Sequence, residues 1–140
     1  MSNIASVYTA VASYAPTGAT TTRNITAVKL DVADADLPCR LLLPSTSAEG
    51  DFIMMGNLQN VGWAIRDLCL WAPITAGSGV EQFSKSMLDY ISLYLAQVKD
   101  NRNPATNANI VGMEVQMGPV PWADKNYWAV DITLTIEEIL

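Results

Sequence analysis

Trp128-Ala129-Val130-Asp131-Ile132-Thr133-Leu134-Thr135-Ile136-Glu137 is the stretch that decides how the chain folds. Its period of two puts Trp128, Val130, Ile132, Leu134 and Ile136 on one face. Ala129, Asp131, Thr133, Thr135 and Glu137 fall on the other, as in a half-buried antiparallel strand. Such a strand needs cover on its apolar face, and the sequence upstream supplies it. Val80, Phe83, Met87, Ile91, Tyr94 and Val98 form a helical stripe, widened by Leu88 and Leu95. Ser78 and Glu81 have the spacing of a capping box. A helix over 79–98 would be about 30 Å long, enough to cross a small sheet.

Working outward, Val111, Met113, Val115 and Met117 alternate with Gly112, Glu114 and Gln116 in a second strand. Asp100 to Asn109, rich in Asn and holding Pro104, reads as a surface loop. Gly118 to Trp122 and Asp124 to Asn126 read as a broad connection into the last strand. Trp63 to Trp71 is a further strand, with Trp63, Ile65, Asp67, Cys69 and Trp71 on one face and Ala64, Arg66, Leu68 and Leu70 on the other. Both faces are largely apolar, which predicts a central strand covered on two sides.

Nearer the start, Ile4, Val7, Tyr8, Val11 and Tyr14 mark an amphipathic helix capped by Ser2 or Asn3 and ended by Pro16 and Gly18. Ile25 to Val32 predicts a strand with its apolar face on the even positions. A short strand follows at 39–43, bracketed by Pro38 and Pro44, and a polar loop at 44–51. The apolar run Phe52-Ile53-Met54-Met55 with Leu58 is either a strand arm or an exposed patch awaiting a partner. The expected fold is therefore α+β over a single domain, 1–140. A mostly antiparallel sheet of about four to five strands packs against one long helix, with an additional N-terminal helix at 1–15. Residues 44–62 are the candidate interaction arm.

At 140 residues, half of them hydrophobic, the chain can bury a core without a disulfide or a metal. No apolar run approaches the length that spans a bilayer, so no membrane association is expected. The first residues lack a basic segment followed by an apolar one, which points to folding in a cytoplasm. Cys39 and Cys69 then read as small buried hydrophobes. A net charge of −6 disfavours adhesion to nucleic acid.

The chain has no histidine, which removes the commonest general base and the commonest transition-metal ligand. No catalytic residue, cofactor or metal site is expected. Asp31, Asp34 and Asp36 read as turn caps on a solvated face, without the spacing of a calcium loop. Gly77-Ser78-Gly79 lacks the Gly-Lys-Ser/Thr of a phosphate loop and reads as a turn into the helix. Asn24-Ile25-Thr26 matches a glycosylation acceptor, which carries no weight without a secretion route. Arg66 and Asp67, charges within an apolar strand, read as structural or intersubunit partners.

In order, the elements are a helix, a strand, the Leu37-Pro38…Pro44 strand, the 45–61 stretch, the 63–71 strand, the 80–98 helix and the 111–117 and 128–136 strands. This layout resembles the tail-terminator and neck (head–tail joining) proteins of tailed bacteriophages across nearly the whole chain. The resemblance implies a virion structural protein without enzymatic activity, forming a homo-oligomeric ring, commonly a hexamer. Its partners would be copies of itself, the tail tube and the head-completion proteins, with DNA passing through unbound. It would assemble in the host cytoplasm and reside in the tail or neck. On that reading Phe52, Ile53, Met54, Met55, Leu58 and Trp122 are the subunit-interface candidates. The alternatives are another tube or connector subunit, or a small ligand-binding module with a pocket built by Trp63, Trp71, Phe83 and Trp128. A hydrolase ranks last.

Overall fold

The computed structural model describes residues 4–14, 23–25, 37–44, 53–55, 60–75 and 84–139, with backbone alone for 23–25, 44 and 53–55. Within these, the elements are α1 (Ile4–Ala12), β1 (Arg23–Ile25), β2 (Cys39–Pro44), β3 (Ile53–Met55), β4 (Asn60–Pro73), α2 (Ser84–Asp100), β5 (Ala108–Trp122) and β6 (Lys125–Ile139). They make an α+β fold: one six-stranded sheet in the order β1-β2-β4-β6-β5, with β3 also paired to β4. Every pairing is antiparallel except β1 with β2.

β6 lies between β4 and β5, so the alternating segment that opened the reading is a central strand. Val130, Ile132, Leu134 and Ile136 are fully buried on the helix-covered face. There they join Trp63, Ile65, Cys69 and Trp71 of β4, Val7 and Val11 of α1, and Met87, Tyr90 and Tyr94 of α2. The Trp71 and Tyr90 rings meet edge to face, 5.5 Å between centroids. On the opposite face a second cluster holds Cys39, Leu41, Leu68, Leu70, Tyr127 and Ala129. β4 is thus covered on both faces from Asp67 to Trp71, and on one face only nearer its start.

Several expectations need correction. β5 and β6 are each 15 residues long, and they meet at a two-residue turn where a broad connection was expected. Ala123 and Asp124 both have positive φ, 49° and 65°, the backbone of a tight hairpin turn whose twist matches the strands it joins. The usual Asn-Gly signal is missing, so the sequence conceals it. Pro119 and Pro121 lie within β5, which is tolerated because β5 is an edge strand. The loop after α2 is also shorter than expected, since the helix runs to Asp100 and β5 begins at Ala108.

Val111 does not share the alternation of Met113 and Val115. The pairing jumps from Ile110↔Ile136 to Gly112↔Thr135, leaving Val111 as the extra residue of a bulge. Leu88 and Leu95 do not widen the buried stripe of α2 either; they are about half exposed, at 53 % and 49 %. The described helix has 17 residues, about 25 Å. Its expected start at 79–83, the Ser78–Glu81 box, Phe83, the glycines at 77 and 79 and the 26–32 strand lie outside the described residues.

β2 and β3 sit end to end on the same side of β4. Pro44 pairs with Ile65 and Ile53 with Trp63, so among the described residues Ala64 between them has no strand partner on that side. The expected arm at 44–62 therefore includes the end of β2, all of β3 and the first residues of β4.

Candidate functional site

Two parts of the molecule stand out: a buried polar cluster beneath the helices, and the exposed edge of the long hairpin. The cluster begins with two charges the sequence placed in apolar strands. Arg40 on β2 and Asp67 on β4 occupy the helix-covered face and are 2 % and 1 % exposed. The guanidinium grips both carboxylate oxygens, with Nε donating to Oδ1 at 3.1 Å and Nη2 donating to Oδ2. Two-point pairing of this kind is the strong form of an ion pair.

The remaining Arg40 donors reach α1. Nη1 donates to the Tyr14 carbonyl and Nη2 to the Val11 carbonyl at 3.2 Å. These carbonyls end the helix, where free acceptors and the negative end of the helix dipole favour a cation. From α2, the Tyr94 hydroxyl donates to Asp67 Oδ2 at 2.7 Å, and its ring lies 5.8 Å from the guanidinium carbon. Tyr8 donates to the Leu42 carbonyl, and Tyr14 donates to the Asn101 carbonyl at 3.2 Å. One ion pair thus ties β2, β4, α1 and α2 together. The sequence marks Asp67 as a structural or intersubunit partner but not whose partner it is.

The chemistry of this cluster is that of a clamp. Burial, with the Asp67 charge adding to it, pushes the Cys69 thiol far up, away from the thiolate a nucleophile needs. Burial likewise raises Tyr94 well above its ordinary value. Cys39 and Cys69 point to opposite faces of the sheet, in different core clusters, and are not joined in a disulfide. Arg66 and Asp131 form a second ion pair on the face opposite the helices, with Nη2 2.8 Å from Oδ2. Among the described residues, no group of three or more Cys, Asp or Glu could hold a metal ion, and no helix is long and apolar enough to cross a membrane.

The sequence-predicted interface residues separate. Phe52 and Leu58 lie outside the described residues. Ile53, Met54 and Met55 are the whole of β3, hydrogen-bonded along Val61 to Trp63. Trp122 is the last residue of β5, partly buried against the second core cluster. Its partner Lys125 and the β3 end of the sheet, at Glu138, are about 40 Å apart along β6. The two candidate surfaces therefore occupy opposite ends of the sheet.

Sequence reasoning missed the edge itself. Among the described residues β5 pairs with β6 on one side only, and beyond Ile110 none of its residues is buried. Val111 is 56 % exposed and Met117 38 %. Two hollows lie against Val111, one reaching Glu137 and the other Arg102. No protein-family model matches the chain, and none of the curated proteins compared with it is recognisably similar.

Proposed function

We propose that this protein is a structural subunit of a tailed-phage particle, forming a homo-oligomeric ring, commonly a hexamer, at the end of the tail tube or in the neck. The observation that carries the reading is the exposed β5 edge. Among the described residues β5 is a 15-residue edge strand with bulky apolar side chains in water, a liability for a solitary protein because an open edge templates further pairing. A subunit whose surfaces are covered on assembly has a use for it. The element order, with one long strand ahead of α2 and a hairpin after it, supports the same reading.

The tube-facing and head-facing partners would be other phage structural proteins. The net charge of −6 suits a lumen through which DNA passes without sticking. The rival reading, a ligand pocket between helix and sheet, has less support. Trp63 and Trp71 are 3 % and 5 % exposed and fill the core. Trp128 packs against the same cluster.

Solution mass with negative-stain imaging tests the proposal. The expected result is a closed ring near six times the 15.2 kDa of one chain. A protein that stays monomeric at every concentration and enters no particle would overturn it.

A further inference from the structure

The two hollows at the base of the β5–β6 hairpin share one wall. The first, about 300 Å³, is lined by Asn60, Gly62, Val111, Thr135 and Glu137 among others. The second, about 500 Å³, is lined by Arg102, Asn103, Asn109, Ile110 and Val111. Val111 borders both, because the bulge pushes it out of the strand pairing. The hollows differ in sign: Glu137 serves one and Arg102 the other. Both side chains are exposed, and neither makes a salt bridge among the described residues.

At the far end of the hairpin the turn carries Asp124 and Lys125 side by side, again exposed and again outside any described salt bridge. The tip thus presents one negative and one positive charge, matching a base that presents one of each across a ridge. About 35–40 Å of strand separates Val111 from the turn, so the tip cannot reach its own base. Any such pairing is between molecules.

We infer that the hairpin tip of one copy docks on the hairpin base of the next, Asp124 toward Arg102 and Lys125 toward Glu137, with Val111 between them. This inference rests on the ring reading and assigns residues to one of its contacts. The reversed arrangement would set like charges together, so the pattern fixes orientation more than affinity. Tip and base are different patches, so the contact is heterologous and propagates head to tail, closing when the rotation between copies allows. Exposed ion pairs are individually weak, and covering the Val111 side chain supplies the apolar part of the contact.

Charge reversal tests it, read by sedimentation of the full chain across a concentration series. One variant reverses the tip (Asp124→Lys with Lys125→Asp), a second reverses the base (Arg102→Glu with Glu137→Lys), and a third carries all four changes. All four positions are exposed, and circular dichroism is the check that each variant is folded. Each half-reversed variant should associate at least about tenfold more weakly than the wild type, and the fully reversed chain should recover. If wild type assembles and tip reversal leaves assembly unchanged, the contact is wrong while the ring reading stands. Loss without recovery in the fully reversed chain overturns the contact equally. So does a tip reversal that abolishes binding to a different phage protein but not self-association. A wild type that never associates overturns both.

Discussion

β2 and β5 flank the same central pair, β4 and β6, yet they are built for different purposes. Cys39, Arg40, Leu41 and Leu42 of β2 are 0–4 % exposed, and the one charge among them is matched at two points by Asp67. β5 beyond Ile110 has no fully buried residue: Val111 and Met117 face water, and Met113, Val115, Val120 and Trp122 are only partly covered. The difference shows where this fold is specified and where it is left open. A polar group in the core fixes which helix meets which strand, while an apolar group on the edge remains available to something outside.

The sharpest way to break that contrast is Asp67→Ala, which strands the Arg40 charge in the core and should cost about 3–5 kcal/mol. Arg40→Met with Asp67→Leu should recover most of the loss, since two apolar side chains leave no charge uncompensated. Urea unfolding measures both, and a single-variant loss below about 1 kcal/mol would erase the distinction. Next in size, Leu134→Ala on β6 should cost about 2–5 kcal/mol. The equivalent change at Val115, half-covered on β5, should cost under about 1 kcal/mol. Equal losses would mean that the edge belongs to the core after all.

High pH sharpens the comparison from the buried side. Burial, with a contribution from the Asp67 charge, pushes the Tyr8 hydroxyl from 10.0 to about 12. Burial also raises Tyr14, Tyr90 and Tyr94. The unfolded chain releases these protons first, so stability should fall as pH rises past 10.0 and go on falling until the folded-state hydroxyls ionise. A denaturation midpoint that holds level across that range would show that the tyrosines under the helices are not sequestered. The smallest expected effect is on the open side. Ala123→Gly relieves a positive φ at the hairpin turn, and should raise stability by about 0.5–1 kcal/mol without altering the core.

Much of this was legible before the coordinates. Periodicity gave the faces of β4 and β6 and the buried line Met87 and Tyr94 of α2, because one-sided burial writes itself into the spacing of apolar residues. What it could not give depends on neighbours distant in sequence. Arg40 and Asp67 are 27 residues apart, and only strand pairing brings them together. Leu88 and Leu95 match the helical period as well as any core residue, yet they stay about half exposed. Val111 looked like a regular strand position because a bulge changes the register without changing the alphabet. The turn at Ala123-Asp124 lacks glycine, so a hairpin of two 15-residue strands reads as two shorter strands and a loop. The hollows beside Val111 had no sequence signal at all, being made by four separate segments.

β6 follows β5 in sequence yet lies between β4 and β5 in the sheet. It is the strand that joins β4 to β5, so a nascent polypeptide emerging from the ribosome cannot close its core until residues near 139 have been translated. The tip and the base described above both include residues of β6, Lys125 and Glu137, so neither surface is formed before β6 pairs. On the docking proposed above, a molecule therefore becomes able to hold a neighbour only once β6 has been translated and paired.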